Sequence, residues 1–179
     1  MKGDAAMKFY EDPLYIKMCK EAKEIQKEWK PEFGDFISIG GRIESICILG
    51  YKHKAQYSDR KKDYSWFRVS CRGVGISWPY FTYPPQTDHD EEFLEYIVWL
   101  PRQDQLQEIW RQEYLKNPTE SGWFGEFTKW LDSKYDDEGR NPDELFDTME
   151  QLWLVFIMCL RFKKKWNPET EKWEALDEC

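Results

Sequence analysis

The residues of this chain with chemistry to offer are two histidines, five cysteines and 34 carboxylates. A Ser-His or Cys-His nucleophile needs His53 or His89, and neither stands in a recognisable local signature. His89 lies in Asp88-His89-Asp90-Glu91-Glu92, which contains metal-ligand types. Neighbouring loop residues seldom converge on one ion, and no HExxH or CxxC accompanies them. The cysteines stand at 19, 47, 71, 159 and 179, an odd number at wide spacing. That pattern excludes a disulfide framework and predicts free thiols in a reducing cytosol. Cys19 and Cys159 fall inside helical apolar patterns, which predicts packing rather than catalysis. Gly73-Val74-Gly75 is too short for a dinucleotide loop, and no GxxxxGK[ST] occurs. Paired carboxylates for glycoside chemistry stay open, because the acids are many and their separations unfixed. The expectation is a non-enzyme with no catalytic residues, no metal site and no cofactor.

The other use of charge is recognition. The net charge is −8, unevenly placed: residues 1–87 hold 15 Lys/Arg and 11 Asp/Glu, whereas 88–179 hold 11 and 23. The acids concentrate at Asp88, Asp90, Glu91, Glu92 and Glu95, and at Asp132, Asp136, Asp137, Glu138, Asp143, Glu144 and Asp147. A field of that sign repels nucleic-acid backbones and attracts basic surfaces, including grooves in which other proteins hold nucleic acid. Asp88, Asp90, Glu91, Glu92, Asp132, Asp136, Asp137 and Glu138 are therefore the candidate partner-binding residues. The competing reading is a solvated, solubilising surface.

A basic cluster runs the other way: Lys52, His53, Lys54, Arg60, Lys61 and Lys62, with Tyr57 among them. On a loop between strands it would clasp a phosphate, and Tyr57 or the aromatics of the SWPYFTYPP segment, Trp78, Tyr80, Phe81 and Tyr83, would stack a base. This makes Lys52, Lys54, Tyr57, Arg60, Lys61, Lys62, Trp78 and Tyr80 the alternative ligand-binding set, for a nucleotide. The competing readings are an exposed hairpin loop and an aromatic loop folded over the sheet.

These residues need a scaffold. With 179 residues, 41% hydrophobic and 17% aromatic, the chain can bury a core and is expected to be one domain, 1–179. The longest apolar run, 152–160, has nine residues, far short of the roughly 18–20 of a membrane span. The opening MKGDAAMKFYEDP has no apolar core segment, so no secretory signal is expected. A helix is predicted over 13–30, with Asp12 as N-cap, Pro13 in the first turn and Lys30-Pro31 as the stop. Residues 33–51 predict a hairpin about Gly40-Gly41. Further strands are predicted around 64–69 and 93–100, with an irregular stretch between them up to Thr87. Pro101 opens a helix ending at Asn117-Pro118, and Ser121 caps a short one bearing Phe124, Phe127, Trp130 and Leu131. Asn141-Pro142-Asp143-Glu144 predicts the start of a long helix over 142–162, whose broad apolar face implies burial. Trp166 and Trp173 face each other in a terminal hairpin. Trp29, Trp110, Trp130 and Trp153 fall on helical stripes and are expected in the core. The expected fold class is α+β: a small antiparallel sheet packed on a helical layer, with a long central C-terminal helix.

Three stretches carry a family resemblance: DPLYIKMCKEAKEIQ (12–26), WLPRQDQLQE (99–108) and MEQLWLVFIM (149–158), the last followed by Trp166-Asn167 and Trp173. In these the chain resembles a family of small, uncharacterised phage and prophage proteins of Gram-positive bacteria. The matching stretches make up about a quarter of the chain. The resemblance implies an accessory gene concerned with the host, and a constant helical frame displaying a variable segment over 34–95. It transfers no site residue. Together with the acidic half, it leads to the expectation of a non-enzymatic inhibitor of a host defence protein. That partner would be a nucleic-acid-binding effector, blocked in the manner of an anti-CRISPR protein in the host bacterial cytoplasm. The alternative is a sponge for a nucleotide immune signal.

Overall fold

The computed structural model describes residues 9–30, 32, 35–39, 46–54, 65–71, 81–83, 96–137 and 146–176; within these, 46–54, 65–71, 81–83 and 134–137 are described by their backbone. The fold is α+β, and the chain divides into two compact units, 1–100 and 101–179.

The first unit carries a five-stranded antiparallel sheet and two short helices. After a 3₁₀ turn, Phe9–Glu11, come α1 (Pro13–Glu21) and α2 (Lys23–Glu28). The start follows local chemistry: Asp12 accepts the Leu14 amide at 2.9 Å, and proline takes the first turn. The single helix expected over 13–30 is broken at Ala22, whose ψ of 65° leaves the helical region. Good helix formers flank the break, so its cause is tertiary. The break brings the Gln26 carboxamide within 3.0 Å of the Cys19 carbonyl and 3.0 Å of the Trp99 carbonyl, while its Oε1 accepts the Trp99 amide at 2.8 Å.

The strands are β1 (Phe36–Ile39), β2 (Ile46–Lys54), β3 (Ser65–Cys71), β4 (Phe81–Tyr83) and β5 (Ile97–Leu100), in the order β4-β3-β2-β1-β5. The predicted hairpin is the β1–β2 pair, with Ile37 opposite Cys47. Its Gly40-Gly41 turn lies outside the described residues. Two expectations need correction. Lys52, His53 and Lys54 are not in a loop: β2 continues through them, past an irregularity between Gly50 and Lys52, opposite Phe67, Trp66 and Ser65. The stretch before Thr87 is not wholly irregular either, since Phe81–Tyr83 pairs with β3.

Trp99 on the edge strand β5 stacks on Trp29, with ring centroids 6.1 Å apart and planes at 11°. Trp29 in turn donates its indole N–H to Asp35 at 2.8 Å, and the same carboxylate oxygen accepts the Glu32 amide at 2.9 Å. Asp35 therefore fixes the turn between α2 and β1. Tyr15, Met18, Cys19, Ala22 and Ile25 are fully buried in this unit.

The second unit consists of α3 (Gln103–Tyr114), α4 (Gly122–Asp137), α5 (Met149–Phe162) and a two-stranded hairpin, β6 (Lys164–Asn167) with β7 (Lys172–Ala175). Helix α5 is its centre, with every residue from 151 to 159 buried. The predicted start at Pro142 is too early. The chain is not helical at 146–148, and the helix begins at Met149 behind a capping box. Thr148 Oγ1 accepts the Gln151 amide at 3.2 Å, and Gln151 Oε1 accepts the Asp147 and Thr148 amides at 2.7 and 3.2 Å. Thr148-Met-Glu-Gln151 is thus the operative start signal.

Helix α4 is longer than the short helix expected. It leaves Ser121 through Gly122 at φ +75°, a backbone geometry that favours glycine. Phe127 stacks on Trp153 with centroids 4.0 Å apart, and Trp110 and Trp130 pack edge-on to Phe156. The four tryptophans expected in the core are buried, as are Cys19 and Cys159, both free thiols. Helix α5 ends at Lys163 in the left-handed region, and Lys164 and Lys165 leave the helix for β6. Trp166 and Trp173 face each other as expected, with ring centroids 5.1 Å apart. Among the described residues, no helix is long and apolar enough to cross a membrane.

Candidate functional site

Of the candidate partner-binding acids, Asp132 is an exposed residue of α4, and Asp136 and Asp137 are its last two residues. Asp88, Asp90, Glu91, Glu92 and Glu138 lie outside the described residues. Of the alternative ligand set, Lys52 and Lys54 stand two residues apart on β2; Tyr57, Arg60, Lys61, Lys62, Trp78 and Tyr80 lie outside the described residues. The acids at 88–95 belong to the first unit, which holds 15 Lys/Arg against 16 Asp/Glu; the second holds 11 against 18. By compact unit, then, the charge resides in the second.

Within that unit, local pairing decides which carboxylates project a field. Asp104 pairs with Arg102 at 3.0 Å, Glu108 with Arg111 at 2.7 Å, and Glu126 with Lys129 at 4.0 Å. Glu113 is held by Lys116 at 2.7 Å and by Arg161 at 3.1 Å. The excess therefore falls on residues 132–150, which contain eight Asp/Glu and two Lys/Arg. Among the described residues, Asp132, Asp147 and Glu150 of that stretch have no ion-pair partner.

The two ends of the stretch differ physically. Asp147 and Glu150 sit at the N-terminus of α5, where the helix dipole favours a carboxylate. Asp132, Asp136 and Asp137 occupy the last turns of α4, where unpaired carbonyls already make the helix end negative. Acids there oppose the stability of the helix. Their charge has the same sign as that of the helix end, on an element otherwise held by Phe127 and Trp130.

A second feature of the same unit is a cleft of about 270 Å³ whose walls include Trp110, Glu113, Tyr114, Thr119, Glu126 and Arg161. Its polar groups satisfy one another. The Thr119 amide donates to the Tyr114 hydroxyl at 2.9 Å, and the Tyr114 hydroxyl donates to the Thr119 carbonyl. The Thr119 hydroxyl donates to Glu126 at 2.6 Å, and the Ser121 hydroxyl donates to the same carboxylate oxygen. These bonds close the connection from α3 to α4. The Ser121 and Thr119 hydroxyls, with Lys129 behind them, hold the Glu126 carboxyl below the usual carboxylate range. Lys116, aided by Arg161, does the same for Glu113. Both groups are thus ionised at neutral pH. Glycoside chemistry needs one carboxyl raised so that it can donate a proton, and this pair lacks that split.

Burial drives the Cys19 thiol far above its ordinary range, so it is a packing residue and not a nucleophile. Among the described residues, no group of three or more His, Cys, Asp and Glu gathers to hold a metal ion. No protein-family model, curated protein or solved structure matches this chain.

What sequence reasoning missed is an apolar strip beside the acids. Phe124 is 50% exposed and Met149 40% exposed, although Met149 lies on the apolar stripe of the long helix and Phe124 beside the core residues Phe127 and Trp130. The available signal was their position: Phe124 falls in the first turn of its helix, and Met149 directly follows a Thr that caps the next.

Proposed function

We propose that this protein acts by binding rather than by transforming a substrate, and that the acidic stretch 132–150 docks onto a basic surface of a partner protein. The observation that carries the reading is the placement of Asp132, Asp136 and Asp137 in the final turns of α4, where carboxylates cost helix stability. On α3 and the first turns of α4, by contrast, Asp104, Glu108, Glu113 and Glu126 are each paired with a neighbouring cation. The resemblance of 12–26, 99–108 and 149–158 to phage accessory proteins supports a host defence protein in the bacterial cytoplasm as the partner. A nucleic-acid-binding effector offers the required basic groove, and occupation of that groove by carboxylates would exclude nucleic acid, as an anti-CRISPR protein does.

The test is capture from a lysate of a Gram-positive host with the wild-type protein and with a variant carrying Asp136→Lys, Asp137→Lys and Glu138→Lys. The reading expects a basic protein retained by the wild type at low salt and lost by the variant. Capture that ignores both the substitutions and the salt concentration defeats it.

A further inference from the structure

We infer that Phe124 and Met149, which flank the buried Trp153, form with Leu131 the anchor site for the apolar face of a basic helical segment in the partner. The inference rests on the proposed function for the sign of the partner's charge, and on different residues for the anchor itself.

The geometry starts at Trp153, which is fully buried in α5. The Phe124 ring lies beside it, tilted by 39° with centroids 6.3 Å apart, and half of Phe124 faces solvent. Trp123, partly exposed, flanks both rings at 5.7 Å from Phe124 and 6.1 Å from Trp153. Leu131, also partly exposed, stands seven residues after Phe124 and so shares its face of α4. Met149, 40% exposed, stands one turn before Trp153 on α5. A large aromatic side chain left half in water beside a rigid aromatic base is the form of an interface anchor.

The flanks say what covers it. Asp132 adjoins Leu131, and Asp147 and Glu150 bracket Met149; none of the three has an ion-pair partner among the described residues. An apolar centre with acidic margins matches an amphipathic helix that carries apolar residues at helical spacing and Lys or Arg on either side. A second copy of this chain would instead bring like charge against like, with seven excess negative charges on each second unit.

The probe is a labelled helical peptide of Leu and Lys, roughly 18 residues long, with Leu at helical spacing, compared with a scrambled peptide of the same composition. Binding is read by fluorescence anisotropy in ~0.15 M salt, and association state by sedimentation. The ordered peptide is expected to bind at least about tenfold tighter than the scrambled one. Phe124→Ser and Met149→Ser are each expected to reduce that preference, whereas Asp132→Asn with Asp147→Asn and Glu150→Gln weakens both peptides alike. Equal binding of the two peptides by the wild type overturns the anchor and leaves the acidic-surface reading standing. Failure of both peptides to bind overturns both. A preference that survives both Ser variants, or a wild-type dimer that Phe124→Ser converts to monomer, also overturns the anchor.

Discussion

Gln26 performs a task that the repeat of apolar residues around it does not reveal. Strand β5 is an edge, and an open edge presents unpaired backbone groups to any passing strand. The Gln26 carboxamide pairs with the amide and the carbonyl of Trp99 as another strand would, and also takes the carbonyl of Cys19 at the helix break. Gln26→Ala removes the partner of the Trp99 amide and carbonyl in a half-buried setting and is expected to cost about 2–4 kcal/mol in a denaturation measurement. Gln26→Glu places a second carboxylate oxygen against two carbonyls, so its protonated form is favoured on folding. Its contribution is therefore expected to be present below about pH 4 and to be lost as the pH rises through the raised folded value. Stability that is indifferent to pH in that variant would show the contact to be unimportant.

Glu126 behaves in the opposite sense. Its carboxyl is held low by the Ser121 and Thr119 hydroxyls, so its contribution is present above the usual glutamate range, near 4.3, and disappears as the pH falls through the lowered folded value. Ser121→Ala is expected to weaken that acid-side loss in unfolding curves taken across this range. An unchanged acid limb would contradict the assignment.

At the scale of elements, α4 and α5 have contrasting ends. Helix α5 opens with its capping box, and Thr148→Ala is expected to destabilise the protein by about 1 kcal/mol. Helix α4 closes with Asp136 and Asp137. Replacing both by Asn is expected to raise stability by about 0.3–1 kcal/mol per charge removed while weakening partner binding. Variants that lose stability would remove the argument that these acids are kept for binding. The same contrast shows what was legible in the sequence. The Asp12 cap, the pairing of β1 with β2, the Trp166–Trp173 pair and the burial of 151–159 follow from local periodicity and capping chemistry, and those elements stand where the residues predicted. The start of α5 was misplaced because Asn141-Pro142-Asp143-Glu144 is also a good start signal, and the capping box competes with it. The break at Ala22 had no local signal, being set by a strand more than 70 residues away. For the site, the acidic run was legible as charge. Its opposition to the helix dipole was not, because that depends on α4 reaching Asp137.

For the whole molecule, the two compact units divide the charge less steeply than a cut at residue 87, but the first is almost neutral and the second carries the excess. Long-range attraction by such a unit accelerates encounter with a basic partner and is screened by salt, whereas apolar anchoring governs how slowly the complex dissociates. The most direct measurement is the association rate constant of the captured partner as a function of ionic strength, for the wild type and for the variant reversed at Asp136, Asp137 and Glu138. The account predicts a fall of about tenfold or more between low and high salt for the wild type, with a much flatter dependence for the variant. A wild-type rate that does not change with salt, or a variant that falls as steeply as the wild type, would contradict it.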